Sequence, residues 1–313
     1  MRYAVGLVVA LAWLPVLADG QIEATVPKSV VQVNTPPVFK DKTTGRFHPG
    51  NGTGLIVGRM SAIGKDPRFV SVLITNKHMI GNWNPVEGKV SRIFDWIELK
   101  LYKKQPDPTS PVIVVRVPLK TASGTQDTTR LALHSDDQVD LVAVRFDLDI
   151  PPNTDYNVQT LDVGYLVPFD RVKSIPAGLG DMVFALGYPS GITSIDTNRP
   201  IAKVGHLAAT PGEALAIRTS WDLSNGKTAA SIIRGKLFLI DGLIVGGNSG
   251  GPVLLPAGGA FGVDPATGVS ALRFTKDNRI LGIVSSGWAE AGLAIAYSGD
   301  YVLPLIDALF PPP

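Results

Sequence analysis

The stretch VGGNSGGPV, residues 245–253, surrounds one small hydroxyl residue, Ser249, with four glycines and a proline. Gly, Asn and Ser all favour turns, so the stretch is compatible with a flexible surface turn. It is equally compatible with a nucleophile on a backbone that must approach a substrate closely, with N–H groups free to bind an oxyanion. The partners that the rest of the chain offers to this serine decide between the two.

Composition narrows the class of protein. The 313 residues are enough for a sizeable core, and 45% hydrophobic against 18% charged residues argue against long disorder. A net charge of +2, with no basic run interleaved with aromatics, argues against a nucleic-acid partner. The absence of cysteine excludes disulfides, thiol catalysis and thiolate metal sites. No cluster of His and carboxylates has metal-ligand spacing, so we expect no metal and no other cofactor.

The N-terminus has the pattern of an export signal. Arg2 precedes an apolar stretch, residues 3–17, which is shorter than the about 20 residues that a membrane span needs. Small residues allow cleavage after Ala18 or after Gly20. We therefore predict that residues 1–18 are a signal peptide and that the protein is periplasmic or secreted, without stable membrane insertion after cleavage. An uncleaved anchor and a core helix are the alternatives.

Strand-like runs rich in β-branched and aromatic residues make up most of the remaining chain. Six of them fall in residues 29–148 and six in residues 181–298. Two such sets predict an all-β fold of two six-stranded antiparallel β-barrels, one in residues 19–165 and one in residues 166–313.

Two further features of the second half are predicted from local pattern. Residues 299–310 read as a short C-terminal helix, with Pro304 in its first turn or kinking it. Residues 190–200 and 211–229 are expected to be long loops, because turn-forming residues interrupt their apolar ones.

The order of candidate catalytic residues selects one frame. GNSGG satisfies the G-x-S-x-G motif of α/β-hydrolases, in which the histidine follows the serine. All four histidines, His48, His78, His134 and His206, precede Ser249, which excludes that order. The order Asp, His, Ser belongs to α/β folds, and the alternating helices of such folds are missing. The order His, Asp, Ser on a two-barrel all-β frame remains.

Two residues fit this order best. His78, in LITNKHMIG, lies just past an apolar strand, from which a side chain can reach a cleft between barrels. Asp140 directly precedes the run Leu-Val-Ala-Val, and a carboxylate that orients a histidine should be held at the mouth of a buried strand. Asp136 and Asp137 are the alternatives, and we expect them to be solvated in a polar turn.

In the order TNKHMI, DLVAV, GNSGGPV and LGIVSSG, the chain resembles the trypsin-like serine peptidases. GTGLIVG, ALGYPSG and FLID resemble their cysteine-free bacterial branch, which includes the HtrA/DegP-type protease domains. The resemblance implies a double β-barrel and a serine endopeptidase that acts on protein or peptide substrates. HtrA proteins usually carry a PDZ domain after the protease, and too few residues follow the last predicted strand for one. No oligomeric state is predicted.

The resemblance also implies a role for each residue of the site. Ser249 would attack the scissile carbonyl, His78 would transfer protons, and Asp140 would fix the histidine tautomer and stabilise the imidazolium. The N–H groups of Gly247 and Ser249 would form the oxyanion hole. The two glycines after Ser249 are expected to keep the path of the substrate clear. The alternative is a non-catalytic or latent protease-like binding module, with an esterase as a third option.

The same resemblance implies a pocket for the residue before the scissile bond. By sequence offset its floor falls near Leu243, with Ser285, Ser286 and Gly287 on another side. Trypsin has a carboxylate at the offset of Leu243, and an apolar floor would leave a charged substrate side chain unpaired. We therefore expect cleavage after small or medium apolar residues. Asp241 is the alternative floor, if the loop takes another path.

Activation should differ from that of the digestive and clotting relatives. In those proteins an aspartate before the nucleophile pairs with a new N-terminal amine. Here the residue is Asn248, which is neutral and gives such an amine no charged partner. We expect signal removal to be the only cleavage needed, and any control to act on loop order around residues 241–248.

Overall fold

The structure of the chain, a computed structural model, describes residues 25–40, 44–63, 66–84, 86–87, 89–107, 110–146, 156–174, 177–193, 198–209, 212–222, 228–242, 244–263, 270–275, 278–288 and 292–310. The predicted signal peptide lies outside the described residues.

Strands dominate these residues, with two short helices at their ends. In chain order the elements are α1 (Thr25–Ser29), β1 (Val30–Lys40), β2 (Phe47–Ile63), β3 (Asp66–Thr75), β4 (Gly81–Asn84), β5 (Lys89–Ile93), β6 (Trp96–Asp107), β7 (Ser110–Pro118), β8 (Leu131–Leu133), β9 (Val142–Val144), β10 (Leu161–Asp162), β11 (Met182–Gly187), β12 (Ile201–Leu207), β13 (Leu215–Asp222), β14 (Thr228–Gly235), β15 (Leu237–Asp241), β16 (Pro252–Leu255), β17 (Gly258–Val263), β18 (Ser270–Thr275), β19 (Arg279–Trp288), β20 (Leu293–Ser298) and α2 (Leu303–Leu309).

The N-terminal half forms an open sheet rather than the closed barrel expected from the sequence. Its strands run in the order β7-β6-β1-β2-β3-β9-β8, and β10 pairs with β2 in parallel. The edge strands β7 and β8 are not paired with each other in the described residues. Because β8 is only three residues long, it could form few backbone hydrogen bonds with β7. One face of the sheet packs its own apolar core, which includes Val33, Ile56 and Leu99.

The C-terminal half contains the closed six-stranded barrel predicted for it. Its strands follow the order β11-β12-β15-β20-β19-β16, and β16 pairs with β11 to close the barrel. Each pair of adjacent strands is antiparallel. Alternate side chains of these strands fill the interior, as the two-residue period of a strand requires. The buried interior residues include Val183, Ile240, Val253, Leu281 and Ala296.

One expected loop is a β-hairpin. Residues 211–229 contain β13 and the start of β14, and Ile217 pairs with Ile233 across the hairpin. Both isoleucines are buried, whereas Ala216 is exposed, so the segment alternates between two faces. The expectation was wrong because Arg, Thr and Ser separate the apolar residues of β13, a spacing that also suits a half-buried strand. A second hairpin, β17–β18, was not predicted.

The C-terminal helix confirms the sequence expectation and joins the two halves. Pro304 lies in the first turn of α2, where its missing N–H costs no helical hydrogen bond. Leu305 and Ile306 are the buried residues of the helix, which packs on β8 and β9. From the first sheet, Arg59 donates a hydrogen bond to the carbonyl of Phe310 (2.8 Å). In the part of the chain that the structure describes, no helix is long and apolar enough to cross a membrane.

A shared core lies between the sheet and the barrel. Leu55 and Val57 of β2 belong to the same buried cluster as Leu254, Ile283 and Tyr297 of the barrel. Because apolar burial stabilises both halves through this one cluster, the relative position of the two sheets is fixed. The candidate site lies along this junction.

Candidate functional site

His78 lies on a single turn of 3-10 helix, Lys77–Met79, that directly follows β3. The preceding Asn76 is fully buried, and its side-chain amide donates to the backbone carbonyl of Asp140 (2.7 Å). The His78 side chain keeps 34% exposure, so its ring reaches solvent from a rigid base.

Asp140 holds the histidine at two points. One carboxylate oxygen is 2.7 Å from Nδ1 of His78, and the other accepts the His78 backbone N–H (3.2 Å). Because a carboxylate only accepts, Nδ1 carries a proton, and in the neutral imidazole Nε2 is the free acceptor. Asp140 is fully buried two residues before β9, whereas Asp136 and Asp137 are exposed. The contact to His78 therefore favours Asp140 over the two alternatives.

Ser285 connects Asp140 with Ser249. Its buried hydroxyl donates to Asp140 Oδ2 (2.9 Å), and its carbonyl accepts a hydrogen bond from Ser249 Oγ (3.0 Å). Ser285 occupies a register shift between β19 and β20, and such a bulge re-aims a side chain. Sequence reasoning placed it only at the substrate pocket. A serine directly after the apolar run Ile-Leu-Gly-Ile-Val was the signal that its hydroxyl needs a buried partner.

The charge of Asp140 sets the proton affinity of His78. Burial lowers the pKa of His78, but the attraction and the hydrogen bond of Asp140 outweigh that effect and raise the pKa above its ordinary value. The contact therefore stabilises the fold fully below the ordinary pKa of histidine, and this contribution is lost as the pH rises through the raised pKa. The neutral ring, which can accept a proton, is the main form only above the raised pKa.

At the two positions after Ser249, nearby backbone leaves no room for a side chain, so only glycine fits. Gly250 has φ +87°, and a Cβ there would lie 2.0 Å from the carbonyl oxygen of Thr53. A Cβ on Gly251 would lie 2.0 Å from the carbonyl oxygen of Leu186. The expectation that these glycines clear a path for substrate was therefore wrong in its reason, because their close neighbours belong to β2 and β11.

Thr53 of β2 fastens the turn that carries Ser249. Its N–H donates to the carbonyl of Ser249 (2.8 Å), and its hydroxyl donates to the carbonyl of Gly247 (2.6 Å). The same hydroxyl accepts the N–H of Tyr188 (3.1 Å). Thr53 is fully buried, so these bonds are shielded from water. Sequence reasoning did not single out this residue.

A second bond orients the peptide before Gly247. The N–H of Ser190, a residue with φ +52°, donates to the carbonyl of Gly246 (2.7 Å). In a trans peptide the N–H points opposite to the carbonyl, so the N–H of Gly247 points away from Ser190. Within the described residues, the N–H groups of Gly247 and Ser249 donate to no acceptor. These two N–H groups are the donors that the sequence predicted for an oxyanion hole.

The predicted pocket is described only in part. Gly287 is exposed and lies against the backbone of Ile244, which brings two of the predicted sides together. Ser286 is half-buried, and Asp241 is exposed at the end of β15. Leu243, the predicted floor, lies outside the described residues.

In the part of the chain that the structure describes, the remaining histidines are not hydrogen-bonded to Asp140 or Ser249. His48 and His206 are exposed, and His134 is half-buried with its ring edge-on to Tyr301. Among the side chains that the structure describes, no group of three or more His, Asp or Glu is placed to hold a metal ion.

The family model of the trypsin-like peptidase domain matches residues 52–263, well over half of the chain. The chain belongs to this family. The match contains His78, Asp140 and Ser249, and it ends before Ser285. None of the curated protein sequences matches this peptidase.

Solved protease structures resemble the peptidase at low identity. The active form of the Rv3671c protease from M. tuberculosis is 15% identical with a TM-score of 0.45, over 94% of this chain and 86% of that chain. The MamO protease domain from Magnetospirillum magneticum is 14% identical with a TM-score of 0.44, over 90% of this chain and 97% of that chain.

The raised pKa of His78 depends on Asp140, and this can be measured without any activity. In a Ser249→Ala background, Asp140→Asn should lower the His78 pKa from above to below its ordinary value, because burial then acts on the ring unopposed. NMR titration of the imidazole protons gives the value, with His78 signals assigned by their loss in His78→Gln. Asp137→Asn is the matched control and should leave the titration unchanged. A drop in the control instead of in Asp140→Asn would transfer the role to the polar turn.

Proposed function

We propose that this peptidase is a serine endopeptidase in which Ser249 is the nucleophile and His78 the general base and acid. Asp140 orients the His78 ring and stabilises its protonated form. The observation that carries the proposal is the 2.7 Å contact of Asp140 with Nδ1 of His78. The chain Asp140–Ser285–Ser249 supports it, because it joins the serine to the same carboxylate.

The reaction starts with a reorientation of one hydroxyl. Ser249 donates its proton to the Ser285 carbonyl, so the hydroxyl must first turn that proton toward Nε2 of His78. Oγ then attacks the scissile carbonyl while Nε2 takes the proton, and the resulting imidazolium is stabilised by the buried Asp140. His78 gives the proton to the leaving amine, which leaves an acyl group on Ser249. Water hydrolyses this ester by the same base catalysis.

Among the described residues the N–H groups of Gly247 and Ser249 have no acceptor, which suits them to the developing oxyanion. Each donor of this kind is worth about 3 kcal/mol in the transition state. The Ser190 bond to Gly246 supports a hole that exists before substrate binds, because it already directs the Gly247 N–H away from Ser190. Asn248 is fully buried, and its side-chain N–H donates to the Val245 carbonyl (2.9 Å). The loop is thus held by its own bonds, which favours activity without a new N-terminal amine.

Removal of the nucleophile tests the proposal. Ser249→Ala should lower hydrolysis of a casein-type substrate by a factor of about 10⁴–10⁶ without loss of folding, and His78→Ala should lose a comparable amount, since triad members act as a unit. Ser123→Ala, in an exposed turn, is the matched control. Wild-type turnover by Ser249→Ala would contradict the mechanism. A folded wild-type protein that cleaves nothing would favour the binding module.

For specificity, we propose cleavage after small or medium apolar residues. The basis is Leu243, because the residue predicted at the pocket floor is apolar. Peptide-library cleavage should be dominated by Val, Ala or Leu before the cut. Leu243→Asp should shift the preference toward Lys and Arg, because the new carboxylate would pair with their charge. Leu243→Asn is the matched control, and it adds polarity without the charge. A wild-type profile dominated by Arg or Lys would reject the Leu243 assignment.

For location, we propose export to the periplasm or medium after removal of the N-terminal signal. Expression of the full chain in a bacterium, followed by fractionation and N-terminal sequencing, should give an exported protein that begins at Asp19 or Gln21. This exported form should be active without further trimming. A cytoplasmic protein that still starts at Met1 would contradict export, and activity only after a later cut would indicate a pro-segment.

A further inference from the structure

Lys77, next to His78 on the same 3-10 helix, is a buried cation. Its side chain is only 2% exposed, and its Nζ donates to the backbone carbonyl of Asp136 (3.2 Å). Burying an ammonium group is costly unless charge or hydrogen bonds compensate it. The mechanism proposed for His78 makes no use of this group.

The partner of Lys77 belongs to the turn that presents Asp140. The Asp136 carbonyl also accepts the N–H of Val139 (3.1 Å), and the Asp136 side chain accepts the N–H of Gln138 (2.9 Å). These bonds close the turn directly before Asp140. Lys77 therefore links the helix of the histidine to the turn of its carboxylate.

The surroundings of Lys77 are predominantly negative. Burial lowers the pKa of Lys77 below its ordinary value, and attraction by Asp140, Asp137 and Asp136, in that order, opposes the effect. The titratable groups that neighbouring elements place around Lys77 and His78 are Asp140 before β9, Asp136 and Asp137 in the turn, His134 after β8 and Tyr297 of β20, whose hydroxyl donates to the Gln138 carbonyl.

We propose that Lys77 is a positioning residue of the site, which fixes the Asp136–Asp140 turn to the helix of His78 and shares the negative charge of Asp140 with the imidazole. This rests on the proposed role of His78 and Asp140. The consequence is a competition between two cations, Lys77 and protonated His78, for one buried carboxylate. Lys77 thereby keeps more of the histidine neutral, and so ready to accept a proton, at neutral pH.

Two substitutions separate charge from shape. Lys77→Met keeps the unbranched side chain and removes the charge, and Lys77→Arg keeps the charge. In a Ser249→Ala background, Lys77→Met should raise the His78 pKa by about 0.5 to 1 unit, since one nearby cation is lost. Lys77→Arg should leave it close to the parent value. NMR titration measures both, and Lys89→Met, an exposed lysine at the start of β5, is the control.

With Ser249 intact, kinetics should give the same answer. Lys77→Met should lower kcat about tenfold with KM unchanged, because the turn of Asp140 loses its anchor. In the pH profile of kcat for Lys77→Met, the acid limb should move to higher pH by the same 0.5 to 1 unit. Lys77→Arg should recover both kcat and the limb.

Three results would overturn the proposal. One is an unchanged His78 pKa in folded Lys77→Met, and another is a fall in kcat with no shift of the acid limb, which means structural support alone. The third is a Lys77→Arg protein that shifts as far as Lys77→Met. Should Lys77→Met not fold, Lys77→Gln, a neutral donor for the Asp136 carbonyl, takes its place with the same expected pKa shift. Failure of the proposed function would show separately, as hydrolysis by Ser249→Ala, and it would leave the NMR result intact.

Discussion

The hydrogen bonds of Thr53 to the turn of Ser249 are the constraint on which the site depends. They join β2 of the open sheet to the barrel by two short contacts, to the carbonyls of Gly247 and Ser249. The next strand, β3, leads directly into the helix of His78, and Thr75 at its end donates to the Thr53 carbonyl (2.8 Å). One buried residue thus ties the turn of Ser249 to the strand that leads to His78.

Asp140 is the second point of convergence. It accepts hydrogen bonds from the ring and backbone of His78 and from the hydroxyl of Ser285. Burying a carboxylate is costly unless hydrogen-bond donors surround it, and the charge of Asp140 is what raises the pKa of His78. Lys77 adds a cation to the same environment. The basicity of the histidine is therefore a balance among several buried groups rather than a property of one pair.

Local patterns in the sequence were enough to predict individual strands and the C-terminal helix. The strands of the barrel and the helix around Pro304 follow from periodicity and turn residues, and the pairing of His78 with Asp140 follows from the position of each at a strand end. The edges of the first sheet depend on long-range pairing, which no local pattern specifies. Thr53 and Ser285 were missed as buried contacts because their partners lie far along the chain, at Gly247 and Asp140.

The central claim is that the junction of sheet and barrel activates Ser249 through His78. Labelling of the folded protein with a fluorophosphonate probe, followed by mapping of the modified peptide, tests it most directly. The account predicts one adduct, on Ser249, that forms in the wild-type protein and is lost in folded His78→Ala. An adduct on another serine, or labelling of Ser249 that proceeds equally fast without His78, would contradict it.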